Sequence, residues 1–156
     1  MKKVKSGFTL MELVLVLGII TIMSAGVFMS IQYNSNRALE NASLALQADI
    51  RYVQRRSIAE GRRYGIVFDI PSNRYRIVCG SSRQTIRSVY LRDGVYLLST
   101  NFVNPRNSLS PGVDFLPRGT VSPQAGQVTL TNFRFSQDVI INVSGGRARI
   151  SEIRRA

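Results

Sequence analysis

The N-terminal part of the chain contains a long run without charge. Residues 13–36 carry no formally charged side chain, and most of them are apolar. An α-helix needs about 20 such residues to cross the hydrocarbon core of a bilayer. Lys2, Lys3 and Lys5 precede the run, and basic residues beside an apolar helix tend to stay in the cytoplasm. The pattern predicts a membrane-spanning helix over residues 8–36, with the rest of the chain across the membrane.

After residue 36 the apolar positions follow a helical period. Apolar or small residues recur at steps of three and four, at Leu39, Ala42, Leu46, Ile50, Val53 and Ser57. This spacing places them along one face of an α-helix and leaves the arginines of the segment on other faces. Gly61 belongs to the residue type that most often ends helices. We expect residues 37–61 to form the amphipathic second half of one helix running from about residue 8 to residue 60.

From residue 62 onwards, short strand-like stretches separated by turns replace the helical pattern. Pro71-Ser72-Asn73 and Asp93-Gly94 are turn sequences. The predicted strands are residues 64–70, 74–79, 85–91, 95–99, 113–116, 127–130, 139–143 and 148–153. The predicted loops are residues 101–112 and 117–126. The expected fold class is α+β, in which the second half of a long N-terminal helix packs on an antiparallel β-sheet domain of residues 62–156.

The composition argues against an enzyme and against a metal site. The chain has no histidine, which is the commonest general base and metal ligand, and its nine carboxylates are dispersed singly. Cys79 is the one cysteine, so a disulfide within the chain is excluded. The sequence contains no glycine-rich phosphate loop and no nucleophile elbow. We expect no catalytic residue, no cofactor and no metal ion.

The net charge is strongly positive and lies mostly on arginine. It amounts to +12, from 21 lysines and arginines against nine carboxylates. The three lysines all precede the apolar run, so every later basic residue is an arginine. A domain this basic attracts polyanions such as nucleic acid, anionic lipid or acidic proteins. The alternative is that the arginine content reflects only genome composition or solubility.

A short motif lies between the basic leader and the apolar run, Lys5-Ser6-Gly7-Phe8-Thr9-Leu10-Met11-Glu12. It resembles the type III signal of type IV prepilins and pseudopilins. The resemblance implies that prepilin peptidase removes residues 1–7 by cleavage between Gly7 and Phe8, and that Phe8 becomes N-methylated while the apolar helix is kept. The alternatives are an ordinary secretory signal cleaved near Ser24-Ala25-Gly26 and a plain single-pass anchor.

Glu12 is the one acidic residue of this N-terminal segment. An isolated carboxylate deep in a bilayer costs on the order of 2.5 kcal/mol or more, so such groups usually have partners. In the filament that the resemblance implies, Glu12 pairs with the charged Phe8 amine of a neighbouring subunit. We therefore expect Glu12 to matter more for assembly than for folding. The alternative is a carboxylate that snorkels to the membrane interface.

The likeness extends over nearly the whole chain to one subgroup of this family, the H-type minor pseudopilins of type II secretion and the T-type and U-type minor pilins. It rests on the segments LQADIRYVQRRSIAEGRRYGIVF and VDFLPRGTV and on a C-terminal strand entered through Gly146. It implies a minor subunit that initiates or caps a filament, with other pilins, an assembly platform and a motor ATPase as partners. Such a subunit starts as a single-pass inner-membrane protein with its C-terminal domain outside the cytoplasm. A type IV pilus, a competence pilus and a type II secretion system all remain open.

The alternative function is DNA capture during natural transformation. Gly146-Arg147-Ala148-Arg149 resembles the G-R-x-R motif through which T-type DNA-uptake pilins contact DNA. In a strand, Arg147 and Arg149 point to the same face. Arg154 and Arg155 follow, and as part of a flexible tail they could reach the same phosphate backbone. A solvated strand face and a contact with anionic lipid are the alternatives for these arginines.

Overall fold

The computed structural model describes residues 9–102, 111–122, 124–142 and 146–156, and it describes residues 25–35 by their backbone alone. Helix α1 spans Leu10–Glu60. The chain divides into two compact units, Met1–Asn34 and Ser35–Ala156, so the second half of α1 belongs to the same unit as the strands. The α+β class predicted from the sequence is confirmed, with this half of the helix packed on antiparallel sheets.

Two antiparallel sheets follow the helix. In the described part of the chain their strands are β1 (Tyr64–Asp69), β2 (Arg74–Cys79), β3 (Gln84–Tyr90), β4 (Tyr96–Thr100), β5 (Gly112–Phe115), β6 (Val121–Ser122), β7 (Gly126–Thr131), β8 (Phe135–Ile141), β9 (Ala148–Ile150) and β10 (Arg154–Arg155). The first sheet has the strand order β3-β2-β1-β5-β6. The second has the order β10-β8-β7-β4, and β9 also pairs with β8.

Most strands agree with the sequence prediction to within one residue, but three places differ. Strand β8 begins at Phe135, four residues before the predicted start at residue 139. Strand β6 lies in a predicted loop, because two residues are too few to show a period. The single strand predicted over residues 148–153 is wrong, since β9 ends at Ile150 and β10 begins at Arg154. Val139 pairs with Ile150 and Ser136 pairs with Arg154. Four residue steps from β9 to β10 therefore lie opposite only three residue steps along β8. A bulge between β9 and β10 therefore interrupts the strand.

The apolar stripe predicted for the second half of α1 forms the helical side of the core. Its fully buried members are Leu39, Leu46, Ile50, Val53 and Ser57. Residues from both sheets pack in the same cluster, among them Ile66, Phe115, Leu130 and Ile141. Ser43, which the spacing did not single out, is buried as well. Because the whole cluster lies between residues 39 and 148, the core is contained within the second unit.

Gly61 and Ser57 define the end of α1. The helix stops at Glu60, and Gly61 adopts a φ of 63°, a left-handed conformation that glycine reaches without a steric penalty. Ser57 is fully buried, and its hydroxyl lies within hydrogen-bond distance of the Arg62 and Phe115 carbonyl oxygens, at 2.7 and 2.9 Å. The predicted helix end is confirmed. The Ser57 hydroxyl attaches this end of the helix to β5 of the first sheet.

Asn73 in the turn between β1 and β2 connects the first sheet to the second. Its side-chain amide donates to the Val95 carbonyl and its side-chain oxygen accepts from the Leu97 N–H, both at 2.9 Å. Its φ of 47° lies in a region that asparagine tolerates better than most residues. With a shared core and this bridge, the two sheets and the second half of α1 form one unit. We expect a fragment that starts at Ser35 to fold on its own.

Candidate functional site

Four arginines from two elements line one cleft on the second unit. Arg51 and Arg55 lie one turn apart on an exposed face of α1, while Arg147 directly precedes β9 and Arg149 lies within it. The cleft has a volume of about 750 Å³. Gln54, Asn142 and Ala148 also line it. Helix α1 therefore supplies one wall of the cleft, and the strand entered through Gly146 supplies the other.

Both arginines of the G-R-x-R sequence are exposed, with Arg147 directly before β9 and Arg149 within it. Ala148 between them is buried and pairs with Ile141 of β8. Its carbonyl accepts a hydrogen bond from Gln47 Nε2 of α1 at 2.9 Å, which attaches the strand to the helix. Arg147 and Arg149 on either side of it are exposed. This arrangement agrees with the expectation that the two side chains share one face.

Gly146 allows the turn before β9 to pass close to α1. Its φ is 59°, and a Cβ at this position would lie 2.5 Å from Gln54 Nε2 and 2.9 Å from the Gly119 carbonyl oxygen. Gln54 Nε2 itself donates to that carbonyl at 2.9 Å. A side chain at residue 146 would therefore strain the backbone and displace Gln54. The glycine of the motif is structural, and it sets the position from which Arg147 reaches the cleft.

No carboxylate neutralises the cleft. All nine acidic residues belong to the described part of the chain, and within that part none is ion-paired with Arg51, Arg55, Arg147 or Arg149. Guanidinium groups match the geometry of phosphate and carboxylate oxygens, and several of them together create a strongly positive local potential. The cleft is therefore a candidate site for a polyanion.

The last two candidate arginines lie elsewhere. Arg154 and Arg155 form β10 and pair with β8, and neither of them lines the cleft. Arg154 is ion-paired with Asp138, a nearly buried carboxylate that also accepts a hydrogen bond from Thr129 Oγ1 at 2.8 Å. The suggestion from the sequence that these two arginines belong to a flexible tail is therefore wrong. Backbone pairing holds both residues in the second sheet, and the ion pair neutralises one of them.

The sequence alone did not connect Arg51 and Arg55 with the C-terminal motif. Their four-residue spacing was a visible signal, because it places both on the same side of α1, away from the apolar stripe. The return of β9 to this side of the helix depends on strand order and register. Neither of these can be derived from local spacing.

Arg87 shows the contrasting arrangement, in which an arginine is held by a carboxylate. It is ion-paired with Asp49 of α1, and Asp49 also accepts a hydrogen bond from the Tyr75 hydroxyl at 2.7 Å. Burial and the neighbouring carboxylate raise the pKa of Tyr75, so its hydroxyl remains a donor. Asp49 also raises the pKa of Arg87. This group binds the helix to β2 and β3 and is already satisfied internally.

A second satisfied group surrounds the end of α1. The Tyr64 hydroxyl and the Arg56 guanidinium both donate to the Glu60 carboxylate, and they lower the pKa of that carboxyl. The same hydrogen bond to Glu60 raises the pKa of Tyr64 to about 12. Cys79 lies opposite Tyr64 on β2 as a free thiol. Among the described residues, no three histidine, cysteine or carboxylate side chains are grouped so as to hold a metal ion.

The first unit contains the N-terminal half of α1. Thr9 caps the helix, since its hydroxyl and carbonyl oxygens accept from the Glu12 N–H at 3.3 and 3.1 Å. Glu12 lies in the first turn, where the helix dipole favours a carboxylate. Gly7 and Phe8 lie outside the described residues. In the part of the helix whose side chains are described, no segment is both long and apolar enough to cross a membrane.

Two family models match the sequence. The family described as type II transport protein GspH matches residues 42–145, which is more than half of the chain. The chain belongs to the GspH family. The prokaryotic N-terminal methylation motif matches residues 2–28, and it therefore includes the predicted cleavage site and Glu12. Among proteins of curated function, none matches the sequence at a significant level.

Solved structures of minor pilins and pseudopilins share this fold. The type IV minor pilin FimU of Pseudomonas aeruginosa is 16% identical with a TM-score of 0.60, over 77% of this chain and 92% of that one. The minor pseudopilin EpsH of the Vibrio cholerae type 2 secretion system is 13% identical with a TM-score of 0.58, over 72% of this chain and 95% of that one. At these identities the likeness shows the fold alone.

Membership of the GspH family settles the general class of the molecule. The chain is a type IV pilin-like minor pseudopilin, a structural subunit and not an enzyme. Proteins of this kind are components of filaments, in which they assemble with other pilins, and they are anchored by their N-terminal helix. The family and the non-enzymatic role predicted from the sequence are thereby confirmed.

Proposed function

We propose that the protein is made as a precursor, processed by prepilin peptidase, and placed where it initiates or caps a type IV pilus or a type II secretion pseudopilus. The methylation motif directly before a helix with exposed apolar side chains carries this proposal. Leu10 and Ile22, for example, expose 82% and 76% of their surfaces. Apolar surface of this extent requires lipid or sister helices around it.

The proposal divides the chain into parts with different roles. Residues 1–7 are the leader that the peptidase removes. Residues 8–36 lie in the inner membrane before assembly and in the filament core afterwards, while the domain beyond them lies outside the cytoplasm. Transfer from the membrane into the filament requires an assembly platform and a motor ATPase as partners. The uncharged run of residues 13–36 supports this assignment, because a charge buried in lipid is costly.

Glu12 is the proposed assembly residue. Cleavage between Gly7 and Phe8 creates an N-terminal amine close to the Glu12 carboxylate along the chain. In a bundle of sister helices, the amine of one subunit pairs with Glu12 of its neighbour, which neutralises two charges in an apolar environment and fixes the axial register. Removing one partner of such a pair leaves an uncompensated charge. Folding of the second unit does not involve Glu12, because its core begins at Leu39.

The experiment compares Glu12→Ala with the unchanged protein in its own host, with the full chain expressed at the native level. Filaments are sheared from the cells, and the protein is quantified in the filament and membrane fractions. We expect the variant to be folded and retained in the membrane but depleted from filaments about tenfold or more, as for loss of a buried charge partner. Glu40→Ala, which removes an exposed carboxylate of the second unit, is the control. Equal incorporation of both variants would remove Glu12 from the proposal.

The cleft supports a second candidate function, the capture of DNA. Arg51, Arg55, Arg147 and Arg149 line one open cleft with no carboxylate partner, which is a suitable arrangement for binding a phosphate backbone. Phosphate contacts require no base-specific geometry, so the binding would be independent of sequence and strongly dependent on salt. Arg154 contributes less, because Asp138 already neutralises it.

Duplex DNA titrated against the fragment from Ser35 to Ala156 at two salt concentrations tests this second function. The variants are Arg147→Ala/Arg149→Ala and Arg51→Ala/Arg55→Ala, and the charge-matched control is Arg74→Ala/Arg87→Ala at ion-paired positions. Each cleft pair should weaken binding and lower the salt slope by about two, whereas the control should change it little. Absent binding at low salt, or equal losses in all three variants, would eliminate the cleft as a DNA site.

A further inference from the structure

Phe133 occupies an unfavourable backbone conformation at an exposed position. It lies at the tip of the hairpin between β7 and β8, with 72% of its surface exposed and a φ of 65°. The other non-glycine residues with positive φ in the described part of the chain are polar, namely Asn73, Arg83 and Asp93. Bulky side chains are disfavoured in this region, and glycine or asparagine fits it better. Burial in the core does not explain a phenylalanine here.

The hairpin tip is built so that it holds Phe133 in this conformation. The Phe133 N–H donates to Thr131 Oγ1 at 3.0 Å, and the N–H groups of Arg134 and Phe135 donate to Asn132 Oδ1 at 3.1 and 2.7 Å. The Thr131 hydroxyl in turn donates to the Phe135 carbonyl at 3.0 Å. Backbone strain persists only where the surroundings enforce it, and such sites are often functional. These hydrogen bonds hold the backbone of the tip in its left-handed turn.

Phe133 is part of an exposed apolar cluster. Its ring lies 4.8 Å from that of Tyr96 between centroids, at an interplanar angle of 46°. Tyr96 and Leu98 of β4 are both exposed, on either side of the buried Leu97. We call Tyr96 and Phe133 the aromatic tip. Large apolar side chains grouped in water mark a surface that contacts something else.

The surroundings of the aromatic tip are basic. Arg134 follows Phe133 directly, and Arg155 pairs with Phe135 across β8 and β10, and both arginines are exposed. Residues 131–136 contain no carboxylate. Asp138, further along β8, is ion-paired with Arg154, and Asp93 on the turn before β4 directly follows Arg92. The second unit as a whole holds eighteen arginines against eight carboxylates, so an anionic surface attracts it from a distance.

We propose that the aromatic tip is a contact site for an anionic lipid surface. Phenyl and phenol rings partition into the headgroup region of a bilayer, and arginines beside them pair with anionic headgroups. A single projecting ring can enter a fluid interface without a preformed partner pocket. The proposed contact is between Phe133 of the second unit and the headgroup region of such a surface. The test below omits the N-terminal helix, so its result is independent of the proposed processing and assembly.

The test uses the natural lack of tryptophan in the chain. In the fragment from Ser35 to Ala156, Phe133→Trp provides a single reporter at the tip, and Leu44→Trp provides one at an exposed apolar position on α1. Each is mixed with vesicles of phosphatidylcholine alone or of equimolar phosphatidylcholine and phosphatidylglycerol. We expect a blue shift and quenching by acyl-brominated lipid for the reporter at 133 with the anionic vesicles only. The reporter at 44 should show neither.

Phe133→Asn separates lipid contact from folding. Asparagine tolerates the left-handed backbone, so the variant should melt at the same or a higher temperature, while its partition onto anionic vesicles falls about tenfold or more. Unchanged partition of this variant would overturn the proposal, because simple charge attraction would then explain the binding. A reporter at 133 that responds to single-stranded oligothymidine and not to vesicles would overturn it in favour of base stacking. No response to either would leave a protein contact and would equally overturn it.

Discussion

The ion-paired arginines and the cleft arginines of the second unit differ in what surrounds the same functional group. Asp49, Glu60, Asp69, Asp114 and Asp138 each hold an arginine within the fold. Arg51, Arg55, Arg147 and Arg149 converge from a helix and a strand with no carboxylate beside them. A net charge of +12 therefore does not identify a site by itself. The distribution of the few carboxylates does, because it leaves this cleft without a compensating negative charge.

The largest effect on stability should come from breaking an ion-paired group. Asp49→Ala removes the acceptor of the buried Tyr75 hydroxyl, which should lower the free energy of unfolding of the fragment from Ser35 by about 2 kcal/mol. Chemical denaturation measures this difference. Asp49→Ala/Tyr75→Phe should recover most of the loss, since both partners are then apolar. A loss that persists in the double variant would show that Arg87, and not Tyr75, depends on Asp49.

Gly146→Ala should affect the cleft without removing a charge. Positive φ and the contact with Gln54 should together destabilise the fragment by about 1 kcal/mol or more and should weaken DNA binding. Gly80→Ala is the matched control, because Gly80 has a φ of 73° but nothing within 4 Å of an added Cβ. The control should lose stability through strain alone and bind DNA normally. Identical DNA binding in both variants would contradict the structural role given to Gly146.

Removing cleft arginines should change stability little. For Arg147→Ala/Arg149→Ala we expect a change of less than about 0.5 kcal/mol, because the two exposed side chains have no carboxylate partner and lie close to like charges. Thermal denaturation of the fragment measures this. A loss above about 1 kcal/mol would mean that these arginines hold the fold, as the ion-paired ones do.

The smallest effect concerns the titration of Glu60. Hydrogen bonds from Tyr64 and Arg56 lower its pKa, so the group stabilises the fold above the unfolded-state pKa. That contribution disappears as the pH falls through the lower folded-state pKa. Tyr64→Phe removes the stronger of the two donors, so the pKa of Glu60 should rise toward its usual value. Carbon NMR of the carboxyl group follows this shift, and an unchanged pKa would assign the effect to Arg56 alone.

The local part of the architecture could be predicted from the sequence. The stripe at Leu39, Leu46, Ile50 and Val53 is buried because a period of 3.6 residues depends only on neighbours in sequence. Turn chemistry at Asn73 and Gly61 is local for the same reason. The helix to Glu60, most of the strands and the α+β class therefore follow from the pattern.

The cleft could be predicted only in part, because it depends on pairing between distant segments. The register that sets Ala148 against Ile141 returns β9 to α1, and the bulge after Ile150 carries Arg154 to Asp138 instead of into a tail. A pattern of residue types contains neither fact. The carboxylate that neutralises Arg154 lies sixteen positions away in sequence. Arg51 and Arg55, which line the cleft together with Arg147, lie on the helix.

The central claim is that the chain enters a filament as a processed type IV pilin-like subunit. The most direct measurement is the mass and N-terminal sequence of the protein recovered from sheared filaments. The account predicts a chain that begins at Phe8 with a methylated amine and keeps the whole of the apolar run. A chain that still begins at Met1, or one cut after residue 24 as a secretory signal would be, would contradict it.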